Sequence, residues 1–144
     1  MAKLQLEHFL PYRLNRIAAA VSQDFRSVYG PRHDLTIPEW RVLATLGQFD
    51  EISAKEIGQH SSMHKTKVSR AVRALEERRW LKRRESEDDR REAILTLTAL
   101  GQKAYREIVP KAVAFERHIL DELGSDSIAL IAALERLEHI FRVR

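Results

Sequence analysis

Apolar residues recur at steps of three and four near the start of the chain: Leu10, Leu14, Ile17, Val21, Phe25 and Val28. That spacing draws one apolar stripe along a helix. Pro11 suits its first turn, and Gly30-Pro31 is expected to stop it. "LTIPEWRVLATLGQF" predicts a second helix with Thr36 as N-cap, Pro38 and Glu39 in the first turn, and Trp40, Leu43, Ala44 and Leu46 facing inward. In "SAKEIGQHS", Ser53 and Glu56 have capping-box spacing, in which each side chain satisfies a backbone N–H of the first turn. Ile57 is the core residue of that short third helix.

A fourth helix, "HKTKVSRAVRALEERR", buries Val68, Ala71, Val72 and Leu75. The period then changes. Ile94, Leu95 and Leu97 among threonines predict a strand, and the charged run before them predicts a hairpin tip. "LGQKAYREIVPKAVAFERHILDELG" returns to a helical pattern that Pro110 should kink. Gly124-Ser125-Asp126 reads as a stop followed by a cap. The final helix carries Ile131, Leu134, Leu137 and Phe141 as a stripe.

Two short helices joined by a tight turn and followed by a hairpin make a winged helix-turn-helix. The expected fold class is therefore mainly α with a small β-hairpin wing. Length bounds the rest: 144 residues suit one domain with a real core. The winged-helix lobe is placed at about 35–100, and the flanking helical segments at about 1–32 and 102–144.

Charge sharpens the picture. Residues 60–91 hold 11 Lys/Arg against 6 Asp/Glu, leaving 14 and 15 elsewhere, so the net +4 of the chain is concentrated in one stretch. A surface that meets a polyanion would look like this. A solvated helix face is the plainer alternative.

If Val68, Val72 and Leu75 face the core, then Thr66, Arg70 and Arg73 face outward, flanked by Lys65, Lys67 and Ser69. Such a face offers almost nothing but hydrogen-bond donors to a major groove lined with acceptors. Arg70 is the candidate for bidentate pairing with guanine. Ser61, Ser62, His64, Lys65 and Lys67 lie near the helix start, where N–H groups and positive charge suit phosphates. The competing reading pairs Arg70 and Arg73 with Glu77 and Glu76 on an exposed helix. At the hairpin tip, Asp89 can hold Arg91 and leave Arg90 to enter a minor groove.

Other chemistry is sparse. With no cysteine, disulfides, thiolate zinc sites and thiol-based sensing are excluded. The histidines at 8, 33, 60, 64, 118 and 139 put no His-x-x-x-His pair on one helix, since His60 and His64 flank a turn, and neither a metal nor a cofactor is expected. No phosphate loop or nucleophile elbow is present, and the Asp88, Asp89 and Glu92 cluster sits on a solvated hairpin, so an enzyme is not expected. No apolar run approaches the roughly 20 residues of a membrane span, and the N-terminus lacks a secretion pattern. A cytoplasmic protein, nucleoid-associated when on DNA, is expected.

"VSRAVRALEERRWLKR" followed by "DDRREAILTLTALG" resembles the MarR family of bacterial winged-helix regulators. The motif is Asp89-Arg90-Arg91 and then Leu97-Thr98-Ala99-Leu100-Gly101, and helix order and length fit across essentially the whole chain. The resemblance implies a homodimer with intertwined terminal helices, reading a palindromic operator with half-sites roughly 34 Å apart. It also implies repression relieved by a small ligand, often an aromatic acid or phenol. Arg70 matches the family's recognition-helix arginine, Arg90 and Arg91 its wing arginines, and Asp89 their acidic partner. The chain departs from the family where most members end that helix with Gly and this one has Arg79. A left-handed Arg79 would cost about 1 kcal/mol relative to Gly.

An anionic aromatic effector needs a cation and aromatic walls, for which His8, Tyr12, Arg16, Trp40 and Arg41 are the available types. The plainer reading, which competes strongly, makes Trp40 core and Arg16 an exposed or dimer-interface cation. Two rival functions stay open: a nonspecific architectural DNA binder, and a winged-helix protein-interaction module facing an acidic partner.

Overall fold

The first stripe folds as α1, Leu10–His33, after a single 3-10 turn at Leu6–His8. The computed structural model describes residues 1–88 and 91–144. α1 does not stop at Gly30-Pro31 as its sequence suggests. Proline removes one backbone donor, and the last turn is kept by other bonds. The Asp34 N–H, at φ 50°, caps the Gly30 carbonyl at 2.7 Å, and His33 is buried with its ring on Glu107.

α2, Ile37–Phe49, begins with the expected Thr36 cap. The Thr36 hydroxyl accepts from the Glu39 N–H at 3.2 Å, and the Glu39 carboxylate accepts from the Thr36 N–H at 2.9 Å. Such caps stabilise a helix by about 1 kcal/mol. Leu43 and Leu46 are buried as predicted, together with Val42 and Thr45, whereas Trp40 and Ala44 are only half-buried. A two-residue strand, β1 at Ile52–Ser53, then leads into α3, Ala54–Ser61. Ser53 caps α3 by accepting from the Glu56 N–H, but the reciprocal bond differs from expectation. Its hydroxyl donates to the Glu56 carboxylate at 3.1 Å.

α4 spans Lys65–Glu77, β2 Leu81–Glu85 and β3 Ala93–Leu97. The antiparallel sheet has the order β1-β3-β2, with Leu81 opposite Leu97 and Ile52 opposite Leu95. β1 is too short to leave a period in the sequence. The buried Leu35, Leu43, Leu46, Ile57, Val68, Val72, Leu75, Leu81 and Leu95 form one core that joins α2, α3 and α4 to the sheet.

α5, Ala99–Leu123, runs unbroken through Pro110, and α6 covers Asp126–Ile140. Ser125 precedes α6 without a capping bond from its side chain, while the Ser127 hydroxyl donates to the Gly124 carbonyl. The terminal helices leave their stripes uncovered. Of the α1 stripe only Phe25 is buried, and Leu10, Leu14, Ile17, Val21 and Val28 are exposed, as are Ile131, Leu134 and Phe141.

Candidate nucleic-acid interface

α3 and α4 are joined by a turn whose geometry follows from single residues. Ser62 takes a left-handed conformation at φ 56°, and the Met63 N–H bonds back to the Gly58 carbonyl at 3.0 Å. Met63 packs into the core, which fixes the angle at which α4 departs. His64 is the N-cap of α4, with Nδ1 accepting from the Thr66 N–H at 3.2 Å. The Ser61 hydroxyl is turned inward to the Ile57 carbonyl, while Ser62 is exposed.

Val68, Ala71, Val72 and Leu75 bury one side of α4. Thr66, Lys67, Ser69, Arg70 and Arg73 stand exposed on the other, with Lys65 at its start. The pairing of arginines with glutamates on this helix holds for one of them: Arg73 reaches Glu77 at 3.4 Å, both well exposed. An exposed pair of this kind is worth about 0.3–0.5 kcal/mol and is easily exchanged for another anion. Arg70 makes no hydrogen bond or ion pair with any described residue. Glu76 does not bind Arg73 but accepts from Arg83 of β2 at 2.9 Å, and Arg84 pairs with Glu51 at 3.0 Å. These two bridges tie the hairpin to α4 and to the end of α2.

α4 ends at Arg78 and Arg79. Arg79 has φ 62°, its N–H bonds to the Glu76 carbonyl at 2.9 Å, and the Trp80 N–H bonds to the Leu75 carbonyl at 3.0 Å. This pair of bonds is the left-handed helix ending that normally carries glycine. Arg79 thus adopts the left-handed ending in spite of its side chain, and the hairpin leaves α4 along a defined path.

A groove of about 640 Å³ opens between α3, the first turns of α4 and the hairpin. Met63, Val68 and Leu95 line its floor, and Lys55, Lys65, Arg83 and Arg91 stand around it. Lys55 and Arg83 were not among the residues singled out from the sequence, because only the fold brings α3 and β2 beside α4. Arg91 is exposed on this side. Asp89 and Arg90 lie outside the described residues. Among the described residues no group of three or more His, Asp or Glu could hold a metal. Among the described residues no helix is long and apolar enough to cross a membrane.

The effector candidates fall into two groups. Tyr12 and Arg16 stack on the first turns of α1, with the guanidinium 5.7 Å from the ring centre, and His8 bonds Gln5 at 3.0 Å just before them. Trp40 packs on Phe25 and Tyr29 at 5.3 and 5.5 Å, and Arg41 donates to the Ser22 hydroxyl at 3.3 Å. Along α1 the two groups follow one another, with Tyr12 and Arg16 on its first turns and Ser22, the partner of Arg41, about 9 Å beyond Arg16 at 1.5 Å per residue. Sequence reasoning also passed over Tyr29. Its hydroxyl is fully buried without a hydrogen-bond partner among the described residues, and burial pushes its pKa up to about 12 against the pull of Arg26 and Arg41.

Residues 33–92 match the model of the MarR family. Over 134 residues the chain is 28% identical to an uncharacterized HTH-type transcriptional regulator, YwoH, of Bacillus subtilis, covering 93% of this chain and 92% of that one. A MarR family transcriptional regulator from Silicibacter pomeroyi superposes with a TM-score of 0.79 at 27% identity, covering 95% of this chain and 90% of that one. BpsR of Bordetella bronchiseptica, whose DNA binding is regulated by 6-hydroxynicotinic acid, superposes with a TM-score of 0.76 at 19% identity, over 96% of this chain and 98% of that one. At that identity the likeness to BpsR is one of fold.

Proposed function

We propose that this chain, of which residues 33–92 match the model of the MarR family, is a regulator of that family and works as a homodimeric repressor of an inverted-repeat operator. A small aromatic acid would release it. The observation that carries this reading is the outward face of α4, where Thr66, Lys67, Ser69 and Arg70 are exposed on a helix whose other side is locked into the core. Arg70 would read a base. Lys65, Lys67, Ser62, His64 and the α4 start would hold phosphates, making affinity fall steeply with salt. At the hairpin tip Arg90 would enter the minor groove, with Asp89 holding Arg91. Such work places the protein in the cytoplasm, on the nucleoid.

Dimerisation is supported by the uncovered stripes of α1 and α6. Burying one Leu, Ile or Val is worth roughly 1.5–3 kcal/mol, and the exposed stripes supply eight large apolar residues per chain. For the effector, the support is the aromatic cluster of Phe25, Tyr29 and Trp40 beside Arg41, together with the ligand of BpsR.

Selection of duplexes from a random library by the purified protein tests the reading. An enriched inverted repeat with half-sites about one helical turn apart is the expected result. Retention of DNA without a motif would favour an architectural role. No retention would favour a protein partner for the basic face.

A further inference from the structure

We propose that Arg78 is a positioning residue for operator reading: it fixes where each recognition helix stands relative to the dimer, not which bases that helix contacts. The inference rests on the proposed dimeric operator binding.

Arg78 is the C-cap of α4, yet its guanidinium is spent on the far end of α1. Nη1 donates to the His33 carbonyl and Nη2 to the Asp34 carbonyl at 2.6 Å. These are carbonyls at the helix end, which lack partners within α1 and carry the negative end of its dipole. A planar fork with two parallel donors suits such a pair of acceptors, and a lysine ammonium does not. The ring of Trp80 lies against the same guanidinium, 4.9 Å from Cζ, and shields it from water.

The acceptors are themselves held. His33 is buried, and its Nε2 donates to Glu107 of α5 at 3.0 Å, while Arg32 reaches the other carboxylate oxygen at 3.4 Å. The Arg78 clamp therefore joins the recognition helix to a locked corner of α1 and α5. α1 also carries the uncovered stripe that would form the dimer. By contrast, the packing of α4 is on α2, α3 and β2. α4 meets α1 directly through this clamp, and otherwise only by way of the core that Phe25 and Tyr29 of α1 share with α2.

The lever is long enough to matter. Arg70 lies about 12 Å along the helix from Arg78. A pivot of roughly 10° at the clamp would carry the reading face about 2 Å, more than a hydrogen bond tolerates. With two such helices, loosening the clamp relaxes the distance between the half-sites that the dimer accepts.

The test uses the selected inverted repeat and versions with the spacer one base pair longer or shorter. Binding is measured by fluorescence anisotropy for the full chain and for Arg78→Ala. The unaltered protein is expected to lose at least about tenfold on the altered spacers, and Arg78→Ala less than about threefold. Affinity for random DNA and the salt slope should be unchanged, and Arg78→Lys should recover only part of the discrimination. Should Arg78→Ala fail to fold, Arg78→Gln and Arg78→Lys carry the same comparison. Spacer discrimination equal to that of the unaltered protein, or an equal loss on every duplex, would overturn the inference. If the unaltered protein shows no spacer preference, the proposed dimeric operator reading falls first and takes this inference with it.

Discussion

The carbonyl oxygen of Trp80 occupies the space that a side chain on residue 101 would need. A β-carbon built on Gly101 would meet that oxygen at 2.1 Å and Leu97 Cδ2 at 3.2 Å. The approach is close because Thr98 stitches the end of the recognition helix to the start of α5. Its hydroxyl donates to the Arg79 carbonyl at 2.6 Å and its N–H to the Trp80 carbonyl at 2.9 Å. The Thr-x-x-Gly element of the resemblance is thus a fastening between the hairpin and the helix that follows it.

Gly101→Ala should therefore destabilise the protein by about 2 kcal/mol or more, because backbone rather than a flexible side chain must give way. Thermal denaturation checks this. An unchanged midpoint would mean that the turn at Trp80 shifts without cost.

Arg79→Gly should act in the other direction. Arg79 sits at φ 62° and makes no side-chain bond within the described residues. Removing its β-carbon relieves about 1 kcal/mol, which for a domain of this size raises the melting midpoint by about 2–4 °C. DNA affinity should change little, since one cation is lost outside the α4 reading face. A lower midpoint would show that the side chain contributes more than its backbone strain costs.

Acid should weaken the corner that Arg78 grips. The hydrogen bond from His33, then the charge of Arg32, hold the Glu107 carboxyl below its ordinary value of 4.5. A lowered carboxylate pKa stabilises the fold fully above that ordinary value, and the gain is lost as pH falls through the lower, folded value. Melting midpoints from pH 7 to pH 3 should consequently fall more steeply in the unaltered protein than in Glu107→Gln. Parallel curves would remove Glu107 from the acid response.

Arg70→Ala should cost roughly 1–3 kcal/mol on the selected operator and relax specificity at one base pair. Lys67→Ala should weaken cognate and random duplexes alike and flatten the salt slope by about one unit. Titrations at several salt concentrations separate the two. Identical behaviour of both variants on both duplexes would refute this division between base and phosphate.

Thr36, Ser53 and the apolar side of α4 were legible in the sequence because each depends on neighbours within four residues. A cap, a first turn and a helical period are local devices, and Val68, Ala71, Val72 and Leu75 are buried as their spacing required. Gly30-Pro31 misled for the same reason. Locally it reads as a stop, and it was outweighed by the burial of His33 against a helix more than seventy residues away. That an α4 arginine would pair with a glutamate one turn on was legible, though it is Arg73 and not Arg70 that takes Glu77, whereas the capture of Glu76 by Arg83 was not, since it crosses from helix to strand.

The sequence by itself therefore determined the order of the elements, the wing, the donor-rich face of α4 and the apolar stripes left over at both ends. Tertiary structure alone decided which carboxylate each arginine takes, that Lys55 and Arg83 join the basic face, and that Arg78 grips the end of α1. Periodicity and caps are set by backbone geometry over one or two turns, so they are written along the chain. Ion pairs and carbonyl clamps depend on distances between segments, and those exist only once the core has closed.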